Sequence, residues 1–137
     1  MATYNKTGLA IDQVLSSDQA LPNATTVDST NIVTLNATKS NDIRVVVCAG
    51  STAVELAGGA TLEIRPLLGL TAGAVTTVLP SILITEAVQT DVTWASGEVI
   101  CEFMIPASLI GANRYLKLNY KTSANESADK VDAFITI

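Results

Sequence analysis

Between Gly97 and Thr122 the chain alternates, and that alternation limits its fold more than any other feature. Val99, Cys101, Phe103 and Ile105 fall on one face of an extended chain, with Glu98 and Glu102 on the other. A strand turns its side chains over at every second residue, so a run of this kind is apolar on one side and wet on the other. After Pro106 and a short Gly/Asn segment the pattern resumes. Leu116, Leu118 and Tyr120 share one face, while Tyr115, Lys117, Asn119 and Lys121 point away. Two such runs split by turn residues predict neighbouring strands of an antiparallel sheet.

Further strands are expected along the chain. Ser29 to Asn36 is the first clear one, and Ile43 to Ala49 is apolar on both faces, as a central strand is. Thr61 to Arg65 alternates, Val75 to Leu79 reads as a short edge strand ended by Pro80, and Ser81 to Glu86 follows. Val131 to Ile137 ties the C-terminal end into a sheet. Gly50–Ala60 and Ala87–Ser96 read as loops, the second carrying Trp94. Seven or eight short strands without a convincing long helix predict an all-β, single-domain antiparallel β-sandwich of jelly-roll or Greek-key type. Residues 1–28 are more polar, with spaced apolar positions, and read as an extended N-terminal arm; residues 29–137 form the sandwich.

A chain of 137 residues is one domain on length and buries roughly 65–70% of its unfolded surface, enough for a core of its own. Aromatic residues are only 4%, so Val, Ile, Leu and Ala must build that core. The net charge is −5 and the basic residues are scattered, which argues against a nucleic-acid partner. The uncharged stretch from Pro66 to Thr85 has the length of a membrane span. Its two prolines, two glycines and several threonines favour a strand–loop–strand, so no membrane partner is expected. The first residues lack a charged-then-apolar leader, and use without secretion is expected.

Catalytic chemistry finds little footing. Histidine is absent, which removes His-based triads and His metal sites, and no phosphate-loop or Cys-x-x-Cys motif occurs. No catalytic residue, cofactor or metal is expected, and the chain is read as not an enzyme. Glu98 and Glu102 stand roughly 13 Å apart on a strand, too far for a glycosidase pair. Arg114, Tyr115, Lys117 and Lys121 put one aromatic among cations, a poor platform for single-stranded nucleic acid and a good solvated face. Cys48 and Cys101 lie in apolar runs and read as small buried hydrophobes; a disulfide requires their strands to be neighbours. Sequons at Asn5, Asn23, Asn36 and Asn125 are expected by chance in a chain this rich in Asn and Thr. Trp94 either meets a partner or sugar from its loop or caps an open end of the sandwich.

Several segments occur together in a distinctive order: Asp18-Gln19-Ala20-Leu21, Ser29-Thr30-Asn31-Ile32-Val33, Leu62-Glu63-Ile64-Arg65, Ile105-Pro106, Arg114 to Tyr120, and Ala133-Phe134 in the closing strand. In that order and spacing, from about residue 8 to the end, the chain resembles the cement (head decoration) proteins of tailed bacteriophages, small jelly-roll proteins of similar length. The resemblance implies a structural virion protein, made in the host cytoplasm. It implies binding to the outer capsid surface, where the protein cements adjacent subunits of the major capsid protein as a homo-oligomer, a dimer or trimer. In that setting Tyr4, Ile11 and Leu15 are expected as arm anchors and Trp94 as a loop contact. The competing reading is a carbohydrate-binding or adhesive jelly roll, with Tyr115 and Trp94 as its only aromatic candidates.

Overall fold

The computed structural model describes residues 13–35, 42–85 and 90–136. Twelve strands and one helical turn follow each other: β1 (Val14–Ala20), β2 (Thr26–Asp28), β3 (Val33–Thr34), β4 (Ile43–Ala49), β5 (Val54–Leu56), β6 (Thr61–Gly69), β7 (Thr77–Val78), β8 (Ile82–Thr85), β9 (Val92–Trp94), β10 (Val99–Ile105), α1 (Ala107–Ile110), β11 (Tyr115–Thr122) and β12 (Lys130–Thr136). One sheet runs β1-β12-β4-β10. The other runs β2-β11-β6-β7, with β3 also on β11 and β8 also on β6. All these pairings are antiparallel.

Taking β2 with β3 and β7 with β8 as one broken strand each, and setting β5 and β9 aside, the chain passes from one sheet to the other at every step except that from β6 to β7–β8. The resulting order, first-eighth-third-sixth facing second-seventh-fourth-fifth, is that of a jelly roll, so the expected antiparallel β-sandwich is the observed fold. Its core is one cluster drawn from the inner faces of both sheets. Val45, Val47, Ala133 and Ile135 come from one side, Leu62, Ile64, Leu116, Leu118 and Tyr120 from the other. β11 alternates as its sequence predicts, with Leu116, Leu118 and Tyr120 fully buried. β4 is buried on both faces: Val46 and Cys48 join Phe134 and Val99 in a second small cluster on the outer side.

Four expectations are corrected. Residues 14–28 are not an arm outside the sandwich: β1 pairs along β12 from Val14↔Phe134 to Ala20↔Lys130, and β2 pairs with β11. The polar look of Ser16-Ser17-Asp18 hid the strand: Ser16 is buried and hydrogen-bonded to Gln19 and Tyr120, while Ser17 faces solvent. Leu15 is fully buried in the core and is therefore not an exposed anchor; Tyr4 and Ile11 lie outside the described residues. The two presumed loops carry β5 and β9, which pair as a small ribbon (Val54↔Trp94, Leu56↔Val92). That ribbon turns Val54, Leu56 and Trp94 into the core, so Trp94 caps an end of the sandwich and is not a loop contact.

The fourth correction concerns β10. Its register slips between Val99↔Cys48 and Cys101↔Val47, a β-bulge, so Val99 belongs to the outer cluster while Cys101 and Phe103 pack on the core. Cys48 and Cys101 are consequently on neighbouring strands but opposite faces, and no disulfide joins them. Burial pushes the Cys101 thiol up to about 12. β6 also runs further than expected, through Pro66 to Gly69. Pro66 is tolerated because β8 pairs only with Thr61–Ile64 and β7 only with Leu67 and Leu68, so the proline falls in the gap between them.

Candidate docking face

A jelly roll has two long sides where its sheets meet, and here they differ in chemistry. The side formed by β1 and the β2–β3 segment is sealed by polar groups. Gln19 donates from Nε2 to the Asp28 carbonyl (2.7 Å) and accepts the Thr30 N–H at Oε1 (3.0 Å). Asn31 donates its backbone N–H to the Leu15 carbonyl (3.0 Å) and its side-chain amide to the Val14 carbonyl (3.2 Å). Deeper in, the Ser16 hydroxyl donates to Gln19 Oε1 (2.6 Å) and lies 2.8 Å from the Tyr120 hydroxyl. Two bulges further disturb the free edge of β1. A bulged, covered edge does not recruit another strand.

The opposite side, between β10 and β7–β8, is open and apolar. A groove of about 160 Å³ runs there, walled by Pro66, Leu79 and Ile82 on one side and by Phe103 and Ile105 of β10 with Leu109 of α1 on the other. Prolines at 66, 80 and 106 line it and bring no N–H groups. Of the large apolar side chains exposed to solvent, Leu109 (49% exposed) and Met104 (48%) line it. Scattered exposed apolar residues are ordinary; exposed apolar walls at an apolar groove make it a candidate contact surface. α1 presents Leu109 because Pro106 starts the turn and Gly111, at φ +53, ends it after a single turn.

Other sequence candidates resolve differently. On the outer face of the six-stranded sheet, Lys117 Nζ sits 3.0 Å from Asp28 Oδ2, and Asn119 donates to Asp28 Oδ1 at 2.8 Å. The Asn119 hydrogen bond, helped by Lys117, holds the Asp28 carboxyl below its usual range. Arg65 pairs with Glu63, and that contact lowers the Glu63 carboxyl, with Lys121 adding its charge. Lys117 and Arg65 are thus each paired with a carboxylate on this face. Glu98 accepts the Ala95 N–H (3.1 Å) in the turn before β10, while Glu102 reaches Arg44 (3.0 Å) on the outer face of the four-stranded sheet. The two serve separate structural tasks.

A second, polar cavity of about 390 Å³ opens where the β5–β9 ribbon meets the β11–β12 loop. Glu55, Asp91 and Glu126 line it, with no basic side chain among its walls. Burial pushes the Glu126 carboxyl up to about 7, and its hydrogen bond with Asp129 and that neighbour's charge act in the same direction. Among the described residues no group of three or more His, Cys, Asp or Glu could hold a metal ion. No helix among them is long and apolar enough to cross a membrane.

No family model and no curated protein matches the sequence. Among solved structures the chain is similar to one described as "Structure of infectious bursal disease virus Gx strain", at 13% identity and a TM-score of 0.41. The match covers 89% of this chain and 29% of that one, so this chain spans under a third of its length. The sequence signal for the open side was the pair of prolines flanking Val75–Leu79 and the Ile105-Pro106 ending of β10. What sequence reasoning missed was that the fold brings these segments to a single groove.

Proposed function

We propose that this chain is a structural virion protein that binds the outside of a tailed-phage capsid and cements adjacent subunits of the major capsid protein. The observation that carries the reading is the contrast between the two sides of the sandwich. Polar hydrogen bonds close one side, and the other leaves Met104 and Leu109 exposed at an apolar groove. A rigid body with one apolar contact side suits a protein that acts by adhering. The order of motifs along the chain, which resembles that of capsid cement proteins, supplies the kind of partner.

A protein that binds the assembled shell and not its separated subunits stabilises the shell by mass action. Contacts repeated over many linked sites multiply the effect. Of the two aromatic candidates of the carbohydrate-binding alternative, Trp94 is 7% exposed and packed in the core, which leaves only the half-buried Tyr115.

The test is co-sedimentation of the purified protein with shells of its source phage. Saturable binding is expected, and Met104→Asp with Leu109→Asp should weaken it about tenfold or more while the free protein's melting is unchanged, since both side chains line the groove and already stand half in solvent. Binding that is absent in the parent protein, or indifferent to both changes, would reject this reading.

A further inference from the structure

We infer that the outer face of the four-stranded sheet is a docking face for residues 1–12 of the same chain, with Leu9 and Ile11 as the side chains that cover Phe134 and Val46. Val46, Cys48 and Phe134 point away from the core, yet they are 0%, 2% and 2% exposed. The register gathers them in one patch. Val14, Phe134, Val46 and Glu102 form a row across β1, β12, β4 and β10, and Cys48 follows Val46 on the same face of β4. Neighbours in a sheet stand beside a side chain and not over it. A phenylalanine ring on an outward face is therefore hidden from water only by a further layer. Among the described residues Val99 is the one partly buried hydrophobic packed against the patch, and β4 lies between its strand and that of Phe134. The Arg44–Glu102 pair likewise flanks Val46 from the β10 side.

Position and composition choose the occupant. The first described stretch begins at Gln13, next to Val14, whose register partner is Phe134, so residues 1–12 join the chain at the border of the patch. At ~3.3 Å per extended residue, Leu9 to Gln13 span about 16 Å, and β4 lies two strand spacings, about 10 Å, from β1. Leu9 and Ile11 alternate with Ala10 and Asp12, so an extended segment offers both to one surface. The internal stretches outside the described residues, 36–41 and 86–89, hold a single large apolar side chain between them, Val88.

This inference does not rest on the capsid reading. It assigns Ile11 to the chain's own sheet, and it leaves the apolar groove between β10 and β7–β8 untouched. Shell binding through the groove can succeed or fail whether or not the outer face is covered, so the two experiments stand apart.

The test is alkylation of the full chain with iodoacetamide at mildly alkaline pH, read at each cysteine by peptide mass spectrometry. Cys48 sits in the patch and reports its cover; Cys101 packs on the core side and reports the fold. In the parent protein both should react slowly, at rates that do not change on dilution. Deleting residues 2–11, which keeps β1, should speed the reaction of Cys48 about tenfold or more and leave Cys101 slow. Leu9→Asp with Ile11→Asp should do the same, and this pair decides the matter if the deletion variant unfolds and both cysteines become fast. A Cys48 that is fast in the parent, or stays slow in the folded deletion or double variant, would overturn the proposal. Protection that fades on dilution would assign the cover to a second copy and overturn it equally.

Discussion

The phenolic hydroxyl of Tyr120, at the centre of one sheet, lies 2.8 Å from the hydroxyl of Ser16, on the edge strand of the other. Both residues are fully buried, and Ser16 passes the network on to Gln19, whose amide closes the β1 side. Burial raises the Tyr120 hydroxyl above its ordinary range, which keeps it a neutral hydrogen-bonding group. Replacing it with Phe leaves the Ser16 hydroxyl short of one partner in a place water does not reach. Tyr120→Phe is expected to cost about 1–2 kcal/mol in denaturant unfolding, with an unchanged m-value.

The same network explains what truncation will do. Deleting residues 2–20 removes β1 and with it Leu15, Ser16 and Gln19, and bares the edge of β12. Loss of cooperative thermal unfolding is expected, read by calorimetry. A truncated protein that still melts in one sharp transition would mean that β1 is dispensable to the sandwich.

How far the fold could be read from the sequence depends on where each strand's reasons lie. β11 and β4 were legible because their reasons are local: Leu116, Leu118 and Tyr120 alternate, and Val45 to Ala49 is apolar throughout. β1 was not, because Ser16 and Gln19 look like loop residues until Tyr120 and Thr30 are beside them, and both are distant in sequence. β5 and β9 are three residues each, too short for periodicity to declare, and Trp94 takes its direction from pairing with Val54. The β10 bulge left no mark in composition, yet it decides which face Val99 joins. The apolar groove was invisible for the same reason, since Pro66, Leu79, Phe103 and Leu109 meet only once both sheets are closed.

Gly69 tests the turn that shapes the open side. A Cβ at this position would stand 2.3 Å from the Ala74 carbonyl oxygen and 2.7 Å from the Val75 Cα, both backbone atoms that cannot step aside. Gly69→Ala should destabilise the protein by about 2–4 kcal/mol, through a forced shift of the chain leading to β7. Gly73→Ala makes a close control, because a Cβ there meets nothing within 4 Å. Urea midpoints of the two variants check the contrast.

Stability should fall between acid and neutral pH through Glu126. Its carboxyl titrates near 4.5 when unfolded and at about 7 in the fold. The folded state therefore holds its proton more tightly. The resulting stability is complete below about pH 4.5 and is lost as pH rises through about 7. Above that point its charge faces Asp129, Glu55 and Asp91 around the same polar cavity. Asp28 and Glu63, both lowered, act in the opposite sense in a separate window, where stability is lost as pH falls below the ordinary carboxylate range. Melting temperatures from pH 5 to pH 8 should decline in the parent protein and be flatter in Glu126→Gln.

The central claim, that this chain works by adhering to a viral shell, is tested most directly by quantitative mass spectrometry of purified particles from its source. A fixed ratio of this polypeptide to the major capsid protein, kept through repeated gradient purification, is the predicted result. Particles that lack it, with the polypeptide recovered only in the soluble fraction of the host, would contradict the account.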